Sequence, residues 1–173
     1  MVTRIDLLAA TDAFMASPKI IVGHQAPPPW AEGWIAQERV IRFPLEIAGE
    51  QGGASLVVIG FPFQRDLKFR LGILFPGMVC RLDYTDETHL NSADGVVAGL
   101  VPAKVAGPHY HSWKLNRRFF KGVTKAPRLH DAALYEEPGR TFDAVLRWFC
   151  ADTNIESLPP GHRIELPPME LLV

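Results

Sequence analysis

Cysteine is scarce in this chain. Its two residues, Cys80 and Cys150, lie far apart in apolar patterns that mark them as buried thiols. A disulfide framework is excluded on that count, and a cytoplasmic setting is expected. No apolar run approaches the eighteen or so residues of a membrane span, and Asp6 and Asp12 interrupt the apolar N-terminal stretch, which argues against a secretory signal. No membrane partner is expected. Paired CxxC motifs, phosphate-cradling glycine loops, a nucleophile elbow and a dinucleotide fingerprint are all missing. So are internal repeats and any composition break that would divide the chain, so residues 1–173 read as a single domain.

Negative charge is missing from one segment. Between Asp94 and Asp131 there is no acidic residue, while Lys104, Lys114, Arg117, Arg118, Lys121, Lys125 and Arg128 stand close together. The net charge of the whole is only −1, so the remainder of the chain is strongly acidic. A small protein that gathers cations in this way uses them on an anion or on acids elsewhere in its own fold. Proline, by contrast, is abundant. It clusters at "APPPW" (26–30), "LPPGH" (158–162) and "LPPME" (166–170), the pattern of several fixed loops rather than one linker.

Hydrophobic periodicity predicts an α+β fold. Residues 3–16 read as a helix capped by Thr3, with Asp6 at the capping-box spacing and Ser17-Pro18 as the stop. "RVIRFPLEI" (39–47) alternates as a half-buried strand, and Pro44 places it at an edge. "EQGG" (50–53) reads as a turn before the central strand "SLVVIGFPF" (55–63). "LKFRLGILF" (67–75) alternates again, turns at Pro76-Gly77 and returns as "MVCRLDY" (78–84). A polar loop and a short apolar "VVAGLV" follow, then "KVAGPHYHSW" (104–113) as a strand broken at Gly107-Pro108. A sheet of about five antiparallel strands therefore occupies 39–113. Thr141 caps a helix over 141–153, whose Phe142, Val145, Leu146, Phe149 and Cys150 form one apolar stripe. Both helices should pack on one sheet face and leave the other to host a site. Residues 156–173 read as a docked tail, with "HRIEL" (162–166) as an extra strand.

The candidate chemistry lies in "GPHYHSWKLNRRFFKG" (107–122). On a strand, His109 and His111 project from the same face because the side-chain period is two. They could share one phosphodiester as acid and base, with His89 as a third imidazole. In that use Lys114, Arg117, Arg118 and Lys121 would hold phosphate, and Tyr110 and Trp113 would stack on bases. Alternatively the same imidazoles ligate a divalent metal, with Asp83 or Asp86 supplying a carboxylate. The H-x-H spacing is that of cupins, although the glutamate those proteins carry a few residues later is missing. Phe119 and Phe120 read as core.

The strand end "RLDY", a polar loop, "GPHYHSW" and a terminal F-D-x-V-L-x-x-F helix resemble the TumE-type toxins of prokaryotic toxin–antitoxin pairs, over about residues 40–153. The chain departs from that pattern at Pro108, where the family has an aspartate, and at Asp83, which here precedes the tyrosine. The resemblance implies a growth-inhibiting protein acting on RNA and neutralised by an antitoxin protein; the histidine pair and the basic segment read beside it as a ribonuclease without a cofactor, a divalent metal being the alternative. A non-catalytic module docking an acidic protein or nucleic acid through 104–128 is the second expectation, and a metal-dependent H-x-H enzyme the third. Either a monomer or a homodimer is compatible with the sequence.

Overall fold

The computed structural model describes residues 6–120, 128–136, 139–156, 158 and 160–169. The chain runs α1 (Leu7–Ala16), β1 (Ile20–Ile21), β2 (Ala31–Glu32), β3 (Arg39–Ile47), β4 (Glu50–Gly60), β5 (Phe69–Leu74), β6 (Met78–Tyr84), β7 (Thr88–Leu90), α2 (Ala93–Val97), β8 (Lys104–Ala106), β9 (His109–His111), α3 (Trp113–Asn116), β10 (Ala133–Leu134) and α4 (Phe142–Asp152). The fold is α+β. Its antiparallel sheet has eight strands rather than about five, in the order β1-β3-β4-β5-β6-β9-β10, with β2 also pairing with β3. Strands β7 and β8 form a separate two-stranded sheet.

Period-two alternation sorts the two faces of the large sheet. Phe43, Leu56, Val58, Phe69, Leu71, Ile73 and Leu82 point to one face, where they form the main core with Phe14 of α1 and Val145, Leu146, Phe149 and Cys150 of α4. Rings lock the layers together: Phe14 stacks on Phe75 at 4.2 Å, and Phe142 meets Phe69 edge-on at 5.0 Å. Each fully buried side chain of this size contributes about 1.5–3 kcal/mol. The opposite face carries a smaller apolar cluster of Val40, Val57, Ile59 and Phe61 at one end and the polar residues of β5, β6 and β9 at the other.

Several expectations shift in detail. Asp6 itself caps α1, accepting from the amides of Leu8 and Ala9; Thr3 lies outside the described residues. The turn expected at 50–53 sits two residues earlier. Ala48 (φ 51°) and Gly49 (φ 84°) form a two-residue hairpin loop, and Glu50 already pairs with Ile47. Pro44 does not lie on a bare edge, because β1 and β2 cover the outer side of β3 in two short pieces, and the Pro44 carbonyl accepts from Val22. Gly107 (φ 83°) breaks the expected 104–113 strand, as anticipated, into β8 and β9. Residues 162–166 form no strand, although Ile164 is buried in the core.

Lys19 ties the two main helices together. Its ammonium is buried and donates to the carbonyls of Met15 and Ser17 at the end of α1 and to that of Thr153 at the end of α4. A cation suits both helix C-termini, where carbonyls lack partners.

Candidate functional site

The site is built on the sheet face away from α1 and α4. Across β5, β6 and β9 the register places Arg70 opposite Asp83 and Asp83 opposite His109, while Arg81 faces His111. All five side chains therefore project from the same face. The excursion between β6 and β9 then folds back over them. Strand β7 brings His89 against the pair, with ring centroids 4.5 Å from His111 and 5.5 Å from His109. The two strand histidines are themselves 5.2 Å apart. One ligand atom from each of the three rings lies within 4.8 Å of the other two.

Every ring is oriented by a backbone carbonyl. His89 Nε2 donates to the His130 carbonyl at 2.9 Å, His109 Nδ1 to that of Gly107 at 2.8 Å, and His111 Nδ1 to that of Asp131 at 3.1 Å. A carbonyl can only accept, so these nitrogens carry the protons. In each neutral ring the other nitrogen is left as a lone pair.

The carbonyls of residues 130 and 131 are in turn held by an asparagine clamp. Asn116 is fully buried; its Oδ1 accepts from the amides of His130 and Asp131, and its Nδ2 donates to the carbonyls of Ser112 and Asp131. Asn91 repeats the arrangement one step along: Oδ1 accepts from the Ala132 amide, and Nδ2 donates to the carbonyls of Pro102 and Ala132. An extended segment without a strand partner thus has its polar groups satisfied by two side-chain amides.

Asp83 sits beneath the histidines and is 1% exposed. Its Oδ2 accepts from Arg81 Nε and Nη2 at 3.0 and 2.7 Å and lies 3.2 Å from His109 Nε2 and 3.5 Å from His111 Nε2. Arg70 approaches Oδ1 at 3.3 Å and also pairs with Glu38 and Glu87. Burial works against this carboxylate, but His109, His111 and the Arg81 guanidinium outweigh it and hold Asp83 well below the usual carboxylate range. At 3.5 Å the His111 contact is too long for a proper hydrogen bond, and His111 Nε2, in a residue 0% exposed, has no hydrogen-bond partner among the described residues.

The two strand histidines differ in their protonation. For His109 burial favours the neutral ring, but Asp83 and the Gly107 carbonyl prevail and raise its pKa above the ordinary value. For His111 burial prevails over Asp83 and lowers it. NMR titration of the ring protons is therefore expected to give a higher midpoint for His109 than for His111. Because His109 is raised above its unfolded value of about 6.5, its contribution to stability is fully present below that pH and is lost as pH rises through the folded value. His111 runs the other way: its cost is present at low pH and disappears as pH climbs from its lowered folded value towards about 6.5. Equal midpoints would remove the distinction between the two sites.

The other sequence candidates are placed differently. Tyr110 projects into the main core and donates its hydroxyl to Asp152, and Trp113 is buried with its indole N–H on Asp12. Neither ring forms an open stacking platform. Arg117 is paired with Asp12 and Arg118 with Asp131. Lys114 and Lys104 are exposed, and Lys121 and Lys125 lie outside the described residues. Phe120 is core, and Phe119 is half-buried against His130. Sequence reading missed Arg70, Arg81, Glu38, Asn91, Asn116 and Asp131 as parts of the site. The two arginines occupy the polar positions of alternating strands, which is a usable signal; the asparagines give none.

Comparisons with protein-family models, with curated proteins and with solved structures found no match to the chain.

Proposed function

We propose that this protein is a metal-dependent enzyme whose divalent transition ion is held by His89, His109 and His111. The observation that carries this reading is that one ring nitrogen from each of three histidines lies within 4.8 Å of the other two, on rings that backbone carbonyls hold in place. That is the second-shell arrangement metal-ligating histidines use to fix tautomer and orientation. Three imidazoles suit zinc and its first-row neighbours. With nitrogens up to 4.8 Å apart, each must move by roughly 0.7 Å to reach a bond of about 2.1 Å. Three protein ligands leave a coordination position open, which is the catalytic rather than the structural pattern. There the ion would polarise a water or a substrate oxygen, and Asp83 would set negative charge beside it.

A second reading keeps the histidines as an acid–base pair acting on RNA without a metal, in a toxin neutralised by an antitoxin. It is favoured by the environments that push His109 and His111 apart, because an acid and a base side by side are what phosphodiester cleavage next to a 2′-hydroxyl needs. Burial of both rings and the pairing of Arg117 and Arg118 with this chain's own acids weigh against a polynucleotide substrate.

Metal titration separates the two. Protein stripped with EDTA is expected to take up one equivalent of zinc or cobalt by calorimetry. Cobalt should give the visible absorption of a nitrogen-ligated site. Absence of uptake, together with cleavage of a mixed-sequence RNA in EDTA that is lost in the His109→Ala/His111→Ala double variant, would overturn the metal reading in favour of the second.

A further inference from the structure

The three histidines lie under a cover. His109 and His111 are 2% and 0% exposed, and the excursion over residues 85–107 crosses above them. Alternation sets the two sides of its strand pair. His89 and its partner Val105 point inward, while Thr88, Leu90, Lys104 and Ala106 stay exposed. An ion can reach the imidazoles only if this cover moves.

Little apolar surface holds it down. Val101 and Val105 are its buried apolar residues, and neither belongs to the two apolar clusters of the large sheet. Strands β7 and β8 pair with each other and with no strand of that sheet. The fastenings are polar. Near the base, exposed Asp86 and Glu87 pair with Lys68 and Arg70, where water screens them. Farther along, the contacts converge on residues 130–132. His89 rests on the His130 carbonyl, Ser92 N–H donates to Asp131 Oδ1 at 2.7 Å, and Asn91 holds both the amide and the carbonyl of Ala132. Gly95 sits on the same aspartate, where a Cβ would overlap Asp131 Oδ2 and Arg118 Nη2. Hydrogen bonds of this kind add less than apolar burial, and a segment held by them opens at lower cost than the whole fold. The neck is closed by Gly107 N–H on the Glu87 carbonyl, with Gly107 at φ 83°, so the segment can move as one piece.

We infer that residues 85–107 form a strap that lifts to admit the ion, and that the bound ion fastens it. The cause is the split origin of the ligands: His89 rides on the strap, whereas His109 and His111 belong to the sheet. This rests on the metal reading above. Closure and metal binding are then linked, because the lifted strap takes one of three ligands with it.

The test uses the full chain and residue-resolved amide exchange, read at Ser92 and Ala132, whose acceptors lie across the boundary between strap and body. In metal-free protein both amides should exchange at least about a hundredfold faster than those of β4 and β5, which open only with the fold. Saturating zinc should slow them by about a hundredfold, the share of affinity that one ligand carries. The amides of Leu8 and Ala9, capped by Asp6 at the far end of α1, should not change. Stopped-flow uptake of cobalt should level off at high cobalt, at the rate of lifting. Asn91→Ala should speed that uptake by about tenfold or more while weakening cobalt, because the buried Ala132 amide loses its acceptor in the closed form. An asparagine that merely supported the fold would weaken cobalt without speeding its entry. If calorimetry shows zinc bound but Ser92 and Ala132 exchange no more slowly, the strap is overturned and the metal site stands. Uptake that climbs in proportion to cobalt throughout, or that slows in Asn91→Ala, overturns it as well. If wild-type protein binds neither metal, the metal reading beneath it fails.

Discussion

Leucine at His111 is expected to abolish tight metal binding while leaving the metal-free protein as stable as the wild type, or more so. The two halves of that result have separate causes. Structural zinc sites with about four ligands bind with roughly 10–16 kcal/mol, so one ligand accounts for about 3 kcal/mol, more than a hundredfold in affinity. The stability half follows from the buried ring. His111 Nε2 has no hydrogen-bond partner among the described residues, and an orphaned buried polar atom costs about 1–3 kcal/mol. Leucine of similar volume removes that cost. The hydrogen bond lost from Nδ1 does not strand its acceptor, because the Asp131 carbonyl still receives Asn116 Nδ2 at 2.8 Å.

Thermal unfolding with and without zinc checks both halves. Wild-type protein should gain about 4 kcal/mol when free zinc exceeds its Kd a thousandfold, and His111→Leu at the same zinc concentration should gain about 1 kcal/mol or less. A histidine retained only for packing would behave in the opposite way. Its replacement would lower the stability of the metal-free protein, and zinc would stabilise wild type and variant alike. That outcome would sink the metal centre.

Much of the sheet was legible in the chain, and the reason is period. Strands β4, β5 and β6 are long enough for alternation to show, and Pro76-Gly77 fixes the turn between the last two. The amphipathic stripe of α4 is equally plain because Val145, Leu146, Phe149 and Cys150 fall on one face. Strands of two or three residues carry no such signal. The added strands β1, β2 and β10 could therefore not be read, and neither could the cover that β1 and β2 give to Pro44. The hairpin after β3 was misplaced because Ala48 adopts a positive φ that glycine or asparagine usually supplies.

The site divides along the same line. His109 and His111 share a face by strand geometry alone, which needs no tertiary knowledge. Their meeting with Asp83 and Arg81 depends on the register between β6 and β9, set across a chain excursion of more than twenty residues. The arrival of His89 depends on how that excursion folds back. The cationic run left two uses open, because composition shows charge but not its partners. Asp12, 105 residues before Arg117, and Asp131, 13 residues after Arg118, pair with them.

Alanine at Asn116 is expected to cost about 3–5 kcal/mol of stability and to lower zinc affinity by about 10–100-fold, although Asn116 touches no ligand nitrogen. The stability loss comes from the two backbone amides, of His130 and Asp131, that lose their acceptor in a buried place; each unsatisfied donor costs about 1–3 kcal/mol. The affinity loss comes through the same segment. The His130 carbonyl orients His89 and the Asp131 carbonyl orients His111, so freeing the segment releases two of three ligands from their fixed poses, and second-shell losses of this kind cost about 10–100-fold. Asn116→Asp sharpens the point. It keeps the acceptor for both amides but turns the donor towards the carbonyls of Ser112 and Asp131 into another acceptor, with a buried charge besides. Urea unfolding and zinc calorimetry on both variants distinguish positioning from bulk support. If zinc affinity stays at the wild-type value in variants that have lost the expected stability, the carbonyls do not hold the histidines in place, and His89 and His111 find their positions without the clamp.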